Sequence, residues 1–431
     1  VHWTPGKGFP QAPCTSGKHD PVLGPCRRAA ALSQAWRSKG PIMYVGIAAL
    51  FLGYILSQFY RAFLAVLTPV LIADLGVDAA DLAAASGWLF LAFAVMQIPI
   101  GPALDRIGPR LTASVLVAFG AAGAFLFSQA TGAGQIKLAM ALIGVGSAPV
   151  LMANYYIFAR SFSPAVFGTL AGVTVGLGSL GNLASSLPLS AAVEAFGWRQ
   201  TLFGLGCVTA AVALVILALV RDPPRLQGAA QGSYLDLLRL RPLWPILVMM
   251  MVCYMPIAAL RGLWVGPYFA DVHGADAIRL GTLGLWIGLA MTAGNFAYGP
   301  LDRWVGSRKW VIVAGNALML ACLVPLGLDA DVPQGVAMAL LIGAGLFGAS
   351  FPMVVAHGRA FVPPHLTGRG VTLMNFFGIA PVGLAQIWTG HIHETTPATT
   401  PGAPFAGVFL FFALTLAAGL VVYLWSQDRT D

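Results

Sequence analysis

The chain has 431 residues, of which 58% are hydrophobic and only 9% are charged. Soluble proteins carry about 25% charged residues, so this composition excludes a soluble globular protein and predicts one that crosses a lipid bilayer several times. The formal net charge is +8, but Lys and Arg are scattered between apolar runs and form no basic patch, so no nucleic-acid partner is expected.

A polar segment precedes the apolar runs. Residues 1–40 are rich in Pro, Gly and basic residues and contain no apolar stretch of the kind that a signal peptide requires. We therefore predict a disordered cytoplasmic tail over 1–40.

Twelve apolar segments follow, and a helix needs about 20 such residues to cross a bilayer. We predict membrane-spanning helices at 42–72, 82–104, 110–130, 136–159, 166–192, 200–220, 243–270, 279–300, 309–328, 334–356, 369–392 and 405–426. An even number of crossings places both termini on the same side of the membrane.

The distribution of Lys and Arg predicts which side that is. If the termini are cytoplasmic, the cytoplasmic segments hold 19 Lys and Arg residues and the outer segments hold three. Because cytoplasmic loops of membrane proteins are enriched in positive charge, this bias predicts a multi-pass protein of the inner or plasma membrane with both termini in the cytoplasm.

Two sequence patterns occur twice, six predicted helices apart. GPALDRIGPR (101–110) follows the second helix and GPLDRWVGSR (299–308) follows the eighth. ARSFSPAVFGTLAG (159–172) follows the fourth helix and GRAFVPPHLTGRGV (358–371) follows the tenth. The spacing predicts an internal repeat of six helices.

The repeat divides the chain into two pseudo-symmetric six-helix bundles. We predict the first over 41–221 and the second over 243–427, with a cytoplasmic linker at 222–242 and a cytoplasmic C-terminus at 428–431. Carriers built from such repeats bind their substrate near the membrane midplane, between the repeats.

The duplicated loop resembles the signature of the major facilitator superfamily, G-x-x-x-D-R-x-G-R-R between helices two and three. The matching residues of the two copies are Gly101, Asp105, Arg106, Gly108, Arg110, Asp302, Arg303, Gly306 and Arg308. The resemblance implies the all-α major facilitator fold and a loop that gates the two bundles through charge pairs. On physical grounds alone, Asp105 can accept hydrogen bonds at the start of the next helix, or the basic residues set only the topology.

Arg61 and Arg261 lie within the first and seventh predicted helices. Arg61 precedes Asp105 by 44 residues and Arg261 precedes Asp302 by 41, so the two arginines occupy equivalent places in the two bundles. None of the 16 Asp and Glu residues falls in the interior of a predicted helix. The pair therefore predicts an anion site, because guanidinium can bind carboxylate or phosphate through two parallel hydrogen bonds. The alternative is that each arginine bonds backbone carbonyls or extends to the outer surface.

The paired arginines also resemble the organophosphate and organic-anion branches of the superfamily, whose phosphate exchangers carry arginines in helices one and seven. Those exchangers also use a histidine in helix five, and residues 166–192 contain none. We therefore predict a broader class of anions. Further candidate substrate-binding residues, each of which alternatively serves packing, gating or the membrane interface, are Tyr60, Trp264, Tyr268, Asn154, Tyr155 and Asn375.

The predicted function is that of a secondary transporter that moves a small anion, organic or a phosphate ester, by alternating access. Its partners are the bilayer, the anion and, in the case of symport, protons; the other coupling is anion exchange, and we expect a monomer. The sequence contains no catalytic constellation and no motif for a cofactor or metal, so we expect neither an enzyme nor a cofactor. Two alternatives stay open: a carrier of a neutral or drug-like solute with structural arginines, and a receptor or sensor that binds without transport.

Overall fold

The computed structural model describes residues 41–162, 164–223, 234–363 and 366–429. The predicted tail and residues 224–233 of the predicted linker lie outside the described residues. Within the described part, eleven helices are long and apolar enough to cross a membrane, and two further helices, joined at a bend of 52°, together make a twelfth crossing. The predicted all-α architecture with twelve crossings is confirmed.

We number the crossings as spans 1 to 12, several of which consist of more than one helix. In the first half, span 1 is α1 (Pro41–Tyr60) and α2 (Leu64–Leu75), span 2 is α3 (Ala79–Arg106), span 3 is α4 (Pro109–Ser128), span 4 is α5 (Ala133–Ser147) and α6 (Pro149–Ser161), span 5 is α7 (Pro164–Ala184) and α8 (Leu187–Phe196), and span 6 is α9 (Trp198–Leu219).

The second half begins after a short helix and a 3₁₀ turn. These are α10 (Tyr234–Leu238) and Arg241–Leu243. Span 7 is α11 (Trp244–Cys253), α12 (Met255–Ala259), a π-helical segment (Leu260–Trp264) and α13 (Val265–His273), span 8 is α14 (Ala277–Val305), span 9 is α15 (Arg308–Leu328), span 10 is α16 (Gln334–Phe347) and α17 (Phe351–Arg359), span 11 is α18 (Thr367–Thr395), and span 12 is α19 (Ala403–Tyr423).

Several spans are interrupted inside the membrane. Spans 4, 5, 7 and 10 resume at or next to Pro149, Pro188, Pro256 and Pro352, because proline lacks the amide hydrogen that would continue the helical hydrogen bonds. Span 1 is interrupted at Arg61–Phe63, where the sequence has no proline. Free backbone groups at membrane depth are tolerated only where they face protein or a polar cavity, so these interruptions mark the interior of the protein.

The two halves pack closely at one end, which the distribution of Lys and Arg predicts to be the outer end. A Cβ on Gly87 of span 2 would lie 2.7 Å from the backbone oxygen of Gly383 in span 11. A Cβ on Gly281 of span 8 would lie 2.9 Å from the Cα of Leu187 in span 5, and Gly266 of span 7 meets the backbone of span 1 in the same way. Glycine therefore permits the close approach of helices across the two halves.

We expect Gly383→Val to destabilise this arrangement, because a Cβ at that position would lie 2.8 Å from the backbone oxygen of Gly87. Overpacking of this kind costs about 1–3 kcal/mol, so the melting temperature of the purified protein in detergent should fall. Gly204→Val is the matched control, since a Cβ on Gly204 has no atom within 4 Å. Equal melting temperatures for the two variants would contradict the packing described here.

Candidate anion-binding site

Arg61 lies at the interruption of span 1. Its guanidinium carbon is 4.3 Å from the centre of the Phe93 ring of span 2, a cation–π contact. The side chain is half-buried, and its buried Nε has no hydrogen-bond partner among the described residues. Arg61 takes part in none of the four ion pairs found among the described residues. In these pairs other basic side chains contact Asp74, Asp81, Asp105 and Asp276. Arg61 therefore keeps a positive charge that no neighbouring carboxylate neutralises.

Arg261 lies in the π-helical segment of span 7 and is only 7% exposed. Its terminal nitrogens reach span 5 and donate to Asn182, at 2.8 Å to the side-chain Oδ1 and at 2.5 Å to the backbone oxygen. That backbone oxygen receives no bond from the amide of Ser186, which bonds to Leu183 instead, and it also accepts from the hydroxyls of Ser185 and Ser186. Both acceptors are neutral, so they satisfy donors of Arg261 without cancelling its charge.

The segments that carry the two arginines are neighbours. A Cβ on Gly262 would lie 3.1 Å from the backbone oxygen of Arg61. A cavity of about 10 Å³, roughly the room that one water molecule needs, is lined by residues that include Ala62 of span 1, Ser186 of span 5 and Arg261 of span 7. The interrupted parts of spans 1, 5 and 7 thus meet at this point.

The three predicted aromatic residues next to the arginines are packed within their own halves. The hydroxyl of Tyr60 lies 2.8 Å from Thr209 Oγ1 of span 6, and Trp264 Nε1 donates to Thr389 Oγ1 of span 11 at 2.9 Å. The hydroxyl of Tyr268 donates to a backbone carbonyl at 2.8 Å. Because their polar atoms are already bonded and their side chains are buried, we leave these three residues out of the proposed site.

The candidates on spans 4 and 11 have mixed surroundings. Asn375 donates to Gln97 Oε1 of span 2 at 3.2 Å, a hydrogen bond between the two halves. Asn154 is fully buried and donates to a carbonyl of its own helix, while its Oδ1 has no partner among the described residues. Tyr155 is partly buried and lies within electrostatic range of Tyr54 of span 1. A ligand-binding role for these three residues stays a prediction.

The chain matches the family model of the Major Facilitator Superfamily over residues 50–386, well over half of its length. The chain belongs to the major facilitator superfamily. It is 24% identical over 418 residues to the "Probable L-galactonate transporter" of Escherichia coli (strain K12), a match that covers 89% of each chain. It is 27% identical over 164 residues to the "Nitrate/nitrite transporter NrtP" of Nostoc punctiforme, which covers 35% of this chain and 32% of that protein.

Solved structures of superfamily members share the fold. A D-xylose–proton symporter superposes with a TM-score of 0.72 at 15% identity, covering 89% of this chain and 98% of that one. A bacterial homolog of the human lysosomal transporter Spinster, in an inward-facing and unoccupied conformation, superposes with a TM-score of 0.69 at 16% identity, covering 90% and 96%. The protein is therefore a multi-pass membrane protein and a secondary transporter of this superfamily.

The duplicated superfamily loops turn the chain at glycines with positive φ. Gly108, between spans 2 and 3, has φ of +103°, and Gly306, between spans 8 and 9, has φ of +71°. Side chains rarely adopt this region, whereas glycine enters it readily. The same backbone turn is thus built in both halves.

In the first loop, Asp222 after span 6 accepts a hydrogen bond from the backbone amide of Arg110 at 2.8 Å. A Cβ on Gly108 would lie 2.6 Å from the carboxylate of Asp222. Asp105 pairs instead with Arg160 at the end of span 4, at 3.2 Å. The expectation that Asp105 caps the next helix is therefore corrected, because the turn at Gly108 brings the start of span 3 against the end of span 6.

The second loop repeats the arrangement. Asp428 after span 12 accepts from the backbone amide of Lys309 at 3.0 Å and from the hydroxyl of Ser307 at 2.5 Å. Of the other predicted loop residues, Gly101 lies inside α3, Arg106 is exposed in its last turn, Arg308 begins α15, and the side chains of Asp302 and Arg303 lie outside the described residues.

Sequence reasoning missed four residues that complete these contacts. Asn182 and Phe93 meet the arginines from other spans, and no motif or spacing in the sequence pairs them. Asp222 and Asp428 carry a signal that was available, because each is an acid just after the sixth helix of its half.

A pH-dependent effect on stability is expected at Asp428. Burial alone would raise the pKa of this carboxyl, but hydrogen bonds from Ser307 and the Lys309 amide, and the charges of His357 and Lys309, hold the pKa below its usual value. Such a group stabilises the folded state above its unfolded pKa, and the stabilisation disappears as the pH falls through the lower folded pKa. Asp428→Asn should therefore lower the melting temperature at about pH 7, and its deficit should shrink and disappear as the pH falls through the lowered pKa of Asp428.

The control for this measurement is Glu394→Gln, an exposed acid at the other end of the molecule. Its melting temperature should follow that of the wild type across the pH series. A deficit of Asp428→Asn that persists unchanged in acid would show that the carboxylate charge is not what stabilises the loop.

Proposed function

We propose that this transporter carries a small organic anion and that Arg61 supplies the positive charge that binds it. The observation that carries the proposal is the position of Arg61, at a helix interruption inside the membrane, without a carboxylate partner among the described residues. A charged side chain at membrane depth costs at least ~2.5 kcal/mol, and a bound anion offsets that cost. Arginine suits this role because it stays charged and can grip a carboxylate with two hydrogen bonds.

Arg261 is proposed as the second positive charge of the same site. Its Nε is buried without a partner among the described residues, and Asn182 accepts from its other two nitrogens. An anion that approaches Arg261 competes with neutral oxygen atoms, and hydrogen bonds to charged acceptors are stronger than those to neutral ones. We therefore expect an anion to displace the two oxygens of Asn182 as the acceptor of the hydrogen bonds from Arg261.

The named substrates of two relatives support an anionic substrate. Galactonate is an organic carboxylate and nitrate is an inorganic anion, and these are the substrates in the names of the relatives from Escherichia coli and Nostoc punctiforme. The first match spans most of both chains, whereas the second spans about a third of each. An organic carboxylate is the favoured class.

In the proposed cycle the two halves rock about the site, so that it opens to one side of the membrane at a time. The glycine contacts close the end that we predict to be outer, which makes this the state closed to the outside. Every acid in the described spans lies in a first or last turn, so no carboxylate in the interior of those spans is placed to take up a coupling proton. We therefore propose exchange of anions, or entry of a proton together with the anion.

We expect Arg61→Gln to reduce counterflow of labelled galactonate, glycerol phosphate or nitrate in proteoliposomes about 10- to 100-fold, the range for losing a charged hydrogen-bonding partner. Arg61→Lys keeps the charge but not the planar fork and should retain partial transport. Arg261→Gln should also reduce counterflow. Arg279→Gln is the control, because that side chain is 65% exposed at the surface.

The alternatives predict different results. Normal counterflow by a stably inserted Arg61→Gln protein would make the arginine structural and would favour a carrier of neutral solutes. Saturable binding of an anion by the wild type without any counterflow would favour a receptor or sensor.

A further inference from the structure

Two tyrosines repeat the relation of the arginines. Tyr54 precedes Arg61 by seven residues, and Tyr254 precedes Arg261 by seven residues. Seven residues are almost two turns of an α-helix, or about 10 Å along the axis, so Tyr54 lies near the face of Arg61 in span 1. In span 7 a helix break at Tyr254 and the π-helical segment shift this count. The same pair of residues thus occurs once in each half, with the tyrosine on the predicted cytoplasmic side of the arginine.

The hydroxyls of these tyrosines lack partners. Tyr54 is 6% exposed and its ring fills the space beside Gly178 of span 5, while Tyr254 is partly buried and its ring lies 5.2 Å from that of Phe351 in span 10. Neither hydroxyl makes a hydrogen bond among the described residues, and neither is sealed off from the space around it. Buried tyrosines normally find such a partner. The hydroxyls that do so elsewhere in the spans include those of Tyr60, Tyr268, Tyr298 and Tyr423.

The four side chains surround one region between the halves. Tyr54 lies within electrostatic range of both Arg61 and Tyr254, and Tyr254 lies within range of Arg261. A Cβ on Gly262, next to Arg261, would lie 3.1 Å from the backbone oxygen of Arg61, so the two arginines and the two tyrosines lie in one neighbourhood of spans 1 and 7.

Amide oxygens without donors lie in the same region. Gln58 stands four residues after Tyr54 and three before Arg61, on the same face of span 1. Its Oε1 is buried and has no partner among the described residues. On span 11, fully buried Gln386 donates to a backbone carbonyl at 2.9 Å, while its own Oε1 is likewise unpartnered among the described residues. Buried acceptors without a donor are costly, so these oxygens indicate a ligand that donates hydrogen bonds.

We propose that Tyr54, Gln58 and Tyr254 bind hydroxyl groups of the carried anion, so that the substrate is a hydroxylated carboxylate. This inference rests on the anion-carrier function proposed above. A carboxylate satisfies the guanidiniums, and hydroxyls along its chain donate to amide oxygens and exchange hydrogen bonds with the phenols. An inorganic oxyanion such as nitrate offers acceptors only and leaves the amide oxygens without a donor.

The test compares six-carbon carboxylates with and without hydroxyl groups, and adds nitrate as an inorganic anion. Binding of gluconate, galactonate, hexanoate and nitrate to the purified protein is measured from the rise in melting temperature with ligand concentration. At least one of the two hydroxylated acids should bind more than about tenfold more tightly than hexanoate, which has the chain length of gluconate but no hydroxyls, and than nitrate. Hexanoate or nitrate binding as tightly as both hydroxylated acids, or no binding of either hydroxylated acid, overturns the proposal.

Conservative variants then assign the residues. Tyr54→Phe and Tyr254→Phe should each weaken binding of the hydroxylated acid about 2- to 10-fold and leave hexanoate unchanged, and Gln58→Leu should act in the same way. Tyr298→Phe is the control, since that hydroxyl donates to a carbonyl in span 10 at 2.7 Å. If the ratio of gluconate to hexanoate affinity is unchanged in all three variants, the hydroxyl-binding role is wrong while the anion carrier stands. If Arg61→Gln binds every anion as the wild type does, the proposed function itself fails.

Discussion

A positive charge inside a membrane must find hydrogen-bond acceptors or a counter-charge, and this requirement organises the centre of the transporter. The interruption of span 5 releases the backbone oxygen of Asn182 from the helix, and Arg261 uses that oxygen. Arg61 lies at the interruption of span 1 and places its guanidinium against the ring of Phe93. The break in span 5 thus supplies an acceptor for Arg261, whereas Arg61 lies at the break in span 1 without an acceptor among the described residues.

The two halves are alike in sequence but not in their contacts. Arg261 is buried and held by Asn182, whereas Arg61 is half-buried and bonds to no acceptor among the described residues. A carrier made of repeats can adopt unequal contacts at equivalent positions, because in any one conformation its halves meet at one end only. In this conformation Arg61 is the more exposed of the two arginines.

The number of spans and the position of both arginines follow from the sequence, since hydropathy and charge are local properties. The direction in which an individual side chain points does not follow from the sequence in this way. Tyr60 is adjacent to Arg61 in the chain, yet it bonds Thr209 of span 6, because consecutive helical residues point about 100° apart. Trp264 shares a π-helical segment with Arg261, and that wider turn shifts the faces that an α-helical count assigns. Long-range partners such as Asn182 depend on packing between spans, which no pattern within one span encodes.

Three ion pairs join spans of the first half: Lys137–Asp81 between spans 4 and 2, Arg160–Asp105 between spans 4 and 2, and Arg199–Asp74 between spans 6 and 1. Across the halves the described contacts are glycine packing and hydrogen bonds to neutral acceptors, such as Asn375 to Gln97 and Arg261 to Asn182. These ion pairs tie spans of the first half together, and neutral contacts between the halves can be exchanged. Arg61 and Arg261 have no carboxylate partner among the described residues, so an anion bound there as proposed would change the free energy of the interface itself. A ligand shifts a conformational equilibrium only through such a difference in interaction, which is what a carrier requires of its substrate.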